Sequence, residues 1–503
     1  MDNKNKNTMR VKRIGIDTYR QAVIYMRHDC PICRIEGFEA FSRINVRIRE
    51  RSIIATLHII RDSILRSGEL GLSDAAWEIL HAQEDDIAFL SHPEPMQSLS
   101  YVRAKIHGRA LEQWQFDAII QDIVARNFDD IHLSAFITAC AGNRLNMDEI
   151  VSLTRAMINA GTRLYWDSDI VVDKHCVGGL PGNRTTIILV PIIAAFGLIM
   201  PKTSSRAITS PAGTADTMET LAPVNLTIEQ MQRVVYQENG CIVWGGAMQI
   251  SPADDILISV ERQLDIDSEG QLIASVLSKK SAAGSTHVLI DVPVGETAKV
   301  RSMNLARQLA DTLVDIGSEI DMNVRVKLTV GEQPVGRGIG PALEARDVLQ
   351  VLQNDPDAPQ DLREKALVLA GEILEFSGKV ASDEGFVIAE NILNNGTAWN
   401  KFQAICEAQG GMRTLKLARF QHEHLARQAG TVQSIDNRRL ALCAKLAGAP
   451  LAAAAGIDLH IRQGQSVDNN QPLFTLHAES AGELAYALDY INAQEDIIVI
   501  NPN

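Results

Sequence analysis

Hydrophobic and polar residues alternate with a period of two in the first part of the chain. Residues 43–50 and 52–60 (RINVRIRE and SIIATLHII) follow this pattern, which is typical of strands with one buried face. Residues 71–82 have the spacing of a short helix, with Ser73 placed to cap its start. Pro93 and Pro95 then interrupt the chain. We therefore predict a small, mainly β N-terminal domain over residues 1–92.

The pattern becomes helical after residue 98. Apolar residues recur at three- and four-residue steps in segments 110–126, 133–142 and 148–161. Short apolar runs at 169–173, 197–205, 240–246 and 286–294 then alternate with helical segments, which predicts an α/β sheet with helices on both faces. Strand-like runs at 431–435, 457–463 and 472–478 predict a small α+β domain over residues 426–503.

Composition limits the classes of protein that remain. With 503 residues the chain is long enough for two to four domains. Its net charge of −14 argues against a surface that coats nucleic acid. The longest apolar run, residues 187–200, is too short to span a bilayer, and the basic N-terminus lacks the apolar segment of a secretory signal. Seven cysteines without a disulfide framework favour a reducing compartment, so we expect a cytoplasmic protein.

One cysteine cluster has three interpretations. His28, Cys30 and Cys33 form H-x-C-x-x-C, which is half of a zinc site, but no second C-x-x-C supplies the other ligands. A redox role requires a thioredoxin-like context that the surrounding strands do not suggest. The pattern favours two reduced cysteines near a turn, and we predict no metal.

Two donor-rich loops carry the strongest chemical signal. The first, residues 173–186 (DKHCVGGLPGNRTT), lies between apolar runs and leads into a helix that starts near Thr185. The second, residues 204–221 (SSRAITSPAGTADTMETL), follows the next apolar run. Glycines expose backbone N–H groups to an anion, and Lys174 and Arg206 add positive charge. Neither loop has Walker A or Rossmann spacing. We predict a phosphate site at the end of a sheet, with both cations within reach of one phosphate.

Both loops resemble those of the thymidine phosphorylase family, especially its AMP phosphorylase branch. Segments 146–161, 271–295, 336–347 and 429–441 are also similar, so the resemblance runs in order from about residue 95 to the C-terminal region. It implies an α/β fold in which a helical lobe faces a mixed-sheet α/β lobe across a cleft. The catalytic core would cover residues 93–425, with the helical lobe at about 98–165 plus 252–283 and the α/β lobe at about 166–251 plus 284–425. The N-terminal domain is typical of the longer branch.

The resemblance implies phosphorolysis of the N-glycosidic bond of a nucleoside or nucleoside 5′-monophosphate, giving a free base and a (deoxy)ribose 1-phosphate. It requires no metal or organic cofactor, since inorganic phosphate is a co-substrate, and it implies a homodimer or higher homo-oligomer without nucleic-acid or membrane partners. Catalysis is expected from His175 and Asp267. The phosphate-binding positions are Lys174, Cys176, Gly179, Thr186, Ser204 and Thr214. The substrate-binding positions are Ser205, Arg206, Ala207, Ile208, Thr209, Ser210, Ser275, Lys279 and Lys299.

The chain departs from the family pattern at two points. Cys176 replaces a serine, so its side chain is a weaker donor, and we expect thiol reagents to inhibit unless phosphate protects. The pyrimidine-reading Arg falls near Val260, whereas Asp267 and Lys299 match the AMP phosphorylase branch, which favours a nucleotide. Asp267 also suits the N-terminal cap of a helix. An anthranilate phosphoribosyltransferase-like enzyme and a non-catalytic nucleotide-binding protein are the alternatives.

Overall fold

The structure is a computed structural model that describes residues 7–178, 180–207, 210–248, 250–264, 266, 268–494 and 496–502. Its internal contacts divide the chain into two compact units, Met1–Cys140 and Ala141–Asn503. The division follows the third helix after the N-terminal strands, whereas the sequence pattern placed a domain boundary near residue 92. The domain limits remain a prediction.

The N-terminal unit is built on a closed six-stranded barrel. The strand order is β1-β5-β2-β4-β3-β6, with β1–β5 and β2–β4 parallel and the other pairs antiparallel. Alternate residues such as Ile44, Val46 and Ile48 fill the interior, as the period of two predicts. The strands are β1 Thr8–Arg13, β2 Val23–Arg27, β3 Arg43–Ile48, β4 Arg51–Ile60, β5 Glu69–Leu72 and β6 Ile87–Ser91.

The described part of the same unit, residues 7–140, contains five helices. Ser73 caps α2 as predicted, because its hydroxyl accepts a hydrogen bond from the Ala76 N–H. α4 begins with a capping box formed by Glu112 and Gln115. The helices are α1 Pro31–Glu36, α2 Asp74–Leu80, α3 Ser98–Ile106, α4 Gln113–Val124 and α5 Asp130–Cys140.

The second unit contains a parallel sheet. Strands β11, β10 and β7 pair in that order, β8 pairs with β9, and a parallel bridge between Val171 and Ile199 connects β7 to β8. The carboxyl ends of these strands therefore lie at one edge, where ligands bind in open α/β sheets. The strands are β7 Val172–Cys176, β8 Met200–Ser204, β9 Gly240–Trp244, β10 His287–Val294 and β11 Asn323–Val330.

Helices surround this sheet and bury a large apolar core. α7 is apolar on all sides and buried from Thr185 to Ala194, so the longest apolar run of the chain is an interior helix. None of the helices in the described part of the chain combines the length and apolarity needed to cross a bilayer. The helices are α6 Met147–Asn159, α7 Thr185–Phe196, α8 Thr214–Glu219, α9 Ile228–Glu238, α10 Pro252–Leu264, α11 Glu269–Ala282, α12 Met303–Glu319, α13 Pro341–Leu352, α14 Gln360–Phe376, α15 Gly385–Asn394 and α16 Thr397–Ala408.

The C-terminal part of the unit is a small α+β assembly, as predicted. Its two sheets have strand orders β12-β15-β17-β13 and β16-β14-β18 and enclose a separate apolar core with two helices. The helices and strands of the structure confirm the predicted α/β fold class. The strands are β12 Gly338–Ile339, β13 Phe420–Leu425, β14 Gly430–Ile435, β15 Gly456–Leu459, β16 Ser466–Val467, β17 Pro472–Ala478 and β18 Ile498–Asn501, and the helices are α17 Asn437–Leu446 and α18 Ala481–Ala493.

Candidate active site

The first donor-rich segment is partly a strand. Residues 174–176, which the sequence analysis placed in a loop, continue β7 and pair with Leu289 to Asp291 of β10. The turn that follows needs glycine at Gly182, whose φ is +73° and whose missing Cβ would overlap the Val335 carbonyl oxygen. α7 then begins at Thr185, where a helix start was predicted. Its first N–H groups therefore lie just beyond the end of β7.

Lys174 is held inside the protein by polar partners. Its ammonium donates to the Thr185 hydroxyl at 3.0 Å and lies 3.6 Å from an Asp291 carboxylate oxygen, and the residue is 1% exposed. Asp291 also accepts from Thr329 at 2.6 Å and lies 3.3 Å from the Lys365 ammonium. Burial raises the pKa of Asp291, but the charges of Lys174 and Lys365, together with the hydrogen bonds from Thr329 and Asn183, lower it below its ordinary value. One of the three donors of Lys174 is not used by these two contacts.

A second buried carboxylate, that of Asp173 in β7, contacts lysines of β8 and α11. Asp173 lies 3.0 Å from the Lys202 ammonium of β8 and 2.8 Å from the Lys280 ammonium of α11. Lys202 also donates to the Lys174 carbonyl at 2.6 Å. Burial lowers the pKa of Lys202 to about 7, although Asp173 opposes the shift. Sequence reasoning did not identify Lys202 or Lys280, because their partner is distant along the chain.

Positive charge exceeds negative charge around the end of β7. Five lysines (Lys174, Lys202, Lys279, Lys280 and Lys365) pair with three aspartates (Asp173, Asp254 and Asp291). The group therefore has an excess of two positive charges when Lys202 is protonated and of one when it is neutral, since the pKa of Lys202 is about 7, within a protein of net charge −14. A bound phosphate dianion would balance this excess.

His175 is a neutral imidazole in these surroundings. Burial is the largest cause that lowers its pKa well below the ordinary value, and Lys280, Lys202, Lys279 and Lys174 add to the effect. A neutral ring donates through one nitrogen only. His175 is therefore suited to donating a hydrogen bond, and the alternative in which it enters the reaction as a protonated acid is not supported.

Cys176 is a protonated thiol. Asn183 donates to its sulfur at 3.2 Å and also to Asp291 at 3.2 Å. Burial, followed by the charge of Asp291, raises the pKa of Cys176 to about 12. Since the thiolate is the reactive form of cysteine, this raised pKa disfavours the reaction with thiol reagents that the sequence analysis expects.

In the second donor-rich segment, Asp216 binds backbone groups of Ala207 and Gly213. One carboxylate oxygen of Asp216 accepts from the Ala207 N–H at 2.6 Å and the Gly213 N–H at 2.9 Å. A Cβ on Gly213 would lie 2.6 Å from backbone atoms of residues 205–207, so this position requires glycine. Ser204 ends β8 with a buried hydroxyl that has no hydrogen-bond partner among the described residues. Such a hydroxyl remains available for a ligand.

The Arg206 guanidinium is bound by other side chains of the protein. Its guanidinium binds Asp216 at 3.1 Å and Glu219 at 2.6 Å, and it lies 4.7 Å from the centre of the Trp244 ring. Each N–H of the guanidinium that donates to these carboxylates is no longer free to donate to a phosphate. The prediction that Arg206 and Lys174 reach one phosphate is therefore not supported. Ser210 likewise donates within the same segment, to the Ala212 carbonyl at 2.8 Å, and Thr214 is the first residue of α8.

The predicted base-binding residues share one helix face. Lys279 donates to Ser275 at 2.9 Å, one turn earlier on α11, and to Asp254 of α10 at 2.8 Å. Val260, where the pyrimidine-reading Arg was expected, is 3% exposed on α10. Lys299 lies beside Gly178. A Cβ placed on Gly178 would be 3.7 Å from the Lys299 Cβ.

An ion pair fixes the start of α7 to two other helices. Arg184, the residue before α7, pairs with Glu344 of α13 and donates to Thr217 of α8 at 3.3 Å. Thr217 also donates to Glu344 at 2.9 Å. Thr186 is buried in the first turn of α7. Sequence reasoning missed Arg184, although its position directly before Thr185 was visible.

Several predicted residues cannot be related to this geometry. Gly179, Ile208, Thr209 and Asp267 lie outside the described residues. Among those described, no three His, Cys, Asp or Glu side chains form a group that could hold a metal ion.

Comparisons with known proteins agree with this arrangement. Residues 168–399 match the model of the glycosyl transferase family a/b domain, residues 99–161 its helical bundle domain, and residues 431–497 the pyrimidine nucleoside phosphorylase C-terminal domain. Three bacterial relatives carry the description "Putative thymidine phosphorylase". The Legionella pneumophila (strain Paris) protein is 59% identical over 98% of this chain and 96% of its own length. Those of Polaromonas sp. and Hahella chejuensis are 58% and 54% identical, over 97% and 98% of this chain and 96% and 97% of their own lengths.

A solved structure shares the fold at low sequence identity. Anthranilate phosphoribosyltransferase of Thermus thermophilus matches with a TM-score of 0.51 and 19% identity, over 61% of this chain and 98% of its own. The family models and the relatives together define a pentosyltransferase. The chain belongs to the thymidine phosphorylase (pyrimidine-nucleoside phosphorylase) family.

Proposed function

We propose that this enzyme cleaves the N-glycosidic bond of a nucleoside 5′-monophosphate by phosphorolysis. The products are a free base and a phosphorylated sugar that carries a new phosphate at C1′. The observation that carries the proposal is the excess of lysine charge at the end of β7, together with the buried Ser204 hydroxyl, which has no partner in the described part of the chain. Such a site attracts and orients an anion.

Phosphate is the nucleophile in the proposed reaction. Lys174 supplies a charge-assisted contact, while Ser204 and the first N–H groups of α7 supply further donors. Asp291 and Thr185 hold the lysine in position. As a phosphate oxygen bonds to C1′, the bond from C1′ to the base nitrogen breaks, and the electron pair of that bond moves onto the base. Positive charge develops on the sugar carbon, as in other displacements at anomeric carbons.

The departing base needs hydrogen bonds or a proton. Neutral His175 would donate a hydrogen bond, and Ser275 with Lys279 would contact the base, the lysine being oriented by Asp254. A purine leaves more readily when one of its nitrogens is protonated. We assign that proton to Asp267, on the resemblance to the AMP phosphorylase branch alone.

Two features favour a nucleotide over thymidine. Val260 occupies the position of the pyrimidine-reading Arg and is buried, while nearby Arg262 is exposed. The Lys299 side chain is exposed, and its Cβ lies next to Gly178. A 5′-phosphate bound near this turn would therefore contact a cation. The names of the relatives support thymidine as the other candidate. We further propose that the reaction needs no metal or organic cofactor and that the enzyme is a homo-oligomer.

A substrate panel tests the proposal. Purified protein should release base from AMP in the presence of phosphate and absence of magnesium, with a phosphorylated sugar as the second product. Turnover of thymidine well above AMP would overturn the nucleotide assignment. A requirement for phosphoribosyl pyrophosphate and magnesium would indicate the anthranilate phosphoribosyltransferase reaction, and binding without turnover would indicate a nucleotide sensor.

Asp267 has a matched control two residues earlier. With AMP, Asp267→Asn should lower kcat by about 100-fold or more, with a smaller change in KM, because general acid catalysis acts in the transition state. Asp265→Asn should retain activity. Equal kcat values for the two variants would exclude Asp267 as the proton donor.

A further inference from the structure

The loop that follows β10 lies at the carboxyl end of the parallel sheet and includes Lys299. Residues 295–300, called here the Lys299 loop, close on themselves, because the Gly295 N–H donates to the Val300 carbonyl at 3.1 Å. A Cβ on Gly295 would lie 2.5 Å from the Gly331 carbonyl oxygen. The loop therefore packs directly on the residue that follows β11.

The C-terminal α+β assembly binds this loop through the start of α17. The side-chain amide of Asn437, the first residue of α17, donates to the Thr297 hydroxyl at 2.8 Å and to the Gly331 carbonyl at 3.1 Å. The backbone N–H of Asn437 also donates to the Thr297 hydroxyl, at 3.4 Å. The next residue, Arg438, donates to the Ala298 carbonyl at 3.3 Å. One helix start thus binds both the loop and the strand end on which the loop packs.

The Asn437 side chain is not explained by its burial. It is 2% exposed, and its amide oxygen has no hydrogen-bond partner among the described residues. A buried acceptor without a partner opposes folding. The contribution of this residue therefore lies in the contacts that its N–H groups make with Thr297 and Gly331.

The position of the loop determines where the Lys299 side chain begins. Lys299 lies beside Gly178, in the segment that follows β7. Its side chain is exposed, and the ammonium of a lysine is carried on a flexible stem of four carbons. The place of the Lys299 backbone therefore limits which atoms of a bound substrate the ammonium can reach.

We propose that Asn437 and Arg438 are positioning residues for Lys299. By binding the Lys299 loop, they keep the ammonium within reach of the 5′-phosphate of a nucleotide, and neither residue contacts the substrate itself. This inference rests on the nucleotide phosphorolysis proposed above. It gives the C-terminal assembly a role in selecting nucleoside 5′-monophosphates over nucleosides.

Limited proteolysis tests the positioning of the loop without any substrate. Trypsin cleaves after lysine, and a loop must open locally to enter a protease. We expect Asn437→Ala to raise the rate of cleavage after Lys299 in the native full-length protein about tenfold, as for two lost neutral hydrogen bonds. Fragments 1–299 and 300–503 are identified by mass spectrometry. Equal rates in the unmodified protein and Asn437→Ala would overturn the proposal.

Arg462→Met is the matched control for this experiment. Arg462 also joins the C-terminal assembly to the rest of the unit, but at a different segment, through the Gly336 carbonyl at 2.9 Å and Asp361 at 3.2 Å. Cleavage after Lys299 should be unchanged in this variant. Thr297→Val, which removes the acceptor of Asn437, should be cleaved like Asn437→Ala, whereas Thr297→Ser should be cleaved like the unmodified protein. Faster cleavage in Arg462→Met equal to that in Asn437→Ala would indicate general loosening and contradict the proposal.

Paired substrates test the effect on the 5′-phosphate. AMP and adenosine differ by this group, and each can be measured as a substrate or as a competitive inhibitor. We expect Asn437→Ala to weaken AMP about tenfold and adenosine less than about twofold. In a Lys299→Met background, Asn437→Ala should add little, because its effect passes through Lys299. Additive losses in the double variant would overturn the positioning role.

The single variants separate this inference from the proposed function. Lys299→Met with unaltered affinity for AMP would contradict the 5′-phosphate contact, and the positioning role with it. Weakened AMP in Lys299→Met but not in Asn437→Ala would contradict the positioning role alone.

Discussion

Removal of the Lys174 ammonium provides a direct test of the phosphate site. In Lys174→Met the methionine retains most of the side-chain volume but loses the charge. A hydrogen bond to a charged group contributes about 1.5 to 3 kcal/mol. Since about 1.4 kcal/mol corresponds to a factor of ten, we expect kcat/KM for phosphate to fall roughly 10- to 150-fold.

Lys174→Met should also lower the free energy of unfolding, and the remaining partners of Asp291 limit this loss. Asp291 loses one cationic neighbour but keeps Lys365, Thr329 and Asn183, so its burial remains largely compensated. We expect a loss of about 1 to 3 kcal/mol rather than the larger penalty of a fully unpaired buried charge. For a unit of 363 residues (141–503), with an unfolding entropy of about 2.1 cal/mol/K per residue, that lowers Tm by roughly 1 to 4 °C.

Steady-state kinetics at varied phosphate, with Tm measured in parallel, separate the two effects. Lys365→Met is the matched comparison, because it removes the other ammonium near Asp291. It should lower Tm by a similar amount and change phosphate kinetics only a few-fold. A folded Lys174→Met enzyme with unaltered dependence on phosphate would refute a direct contact.

Three further predictions concern the same site. Cys176→Ser should keep activity, and the unmodified thiol should resist alkylation at pH 8, where a pKa of about 12 leaves about one thiolate in ten thousand; rapid inactivation by modification of Cys176 would contradict this. The ring signals of His175, assigned by their loss in His175→Gln, should not titrate near pH 6.5. Since the unfolded chain gains that proton and the folded chain does not, this residue lowers stability as pH falls below 6.5. Gly182→Ala should lower Tm by more than Gly197→Ala, which shares a positive φ but has open space around it, and equal losses would argue against the tight turn.

The N-terminal fold and the order of elements were largely readable from local patterns. The period of two at residues 43–60 corresponds to β3 and β4, and the helix predicted from Thr185 is α7. The spacing of apolar residues shows which face of a strand or helix is buried. This spacing lies within each element, so it can be read from sequence without knowing the packing. The family could also be identified from sequence, because its two glycine-containing segments lie in fixed order along one chain.

Only the tertiary structure decided which charges are partners. Asp173 ends the strand-like run predicted at 169–173, but its partners, Lys202 and Lys280, were not predicted. Arg206 had the expected residue type for a phosphate ligand, but Asp216 and Glu219 occupy its guanidinium. These outcomes depend on which strands and helices pack together, which residue spacing does not encode. Ion pairs across long sequence separations, and the pKa values they set, follow from that packing. The sequence by itself therefore determined the elements and the family, while packing determined the electrostatics of the site.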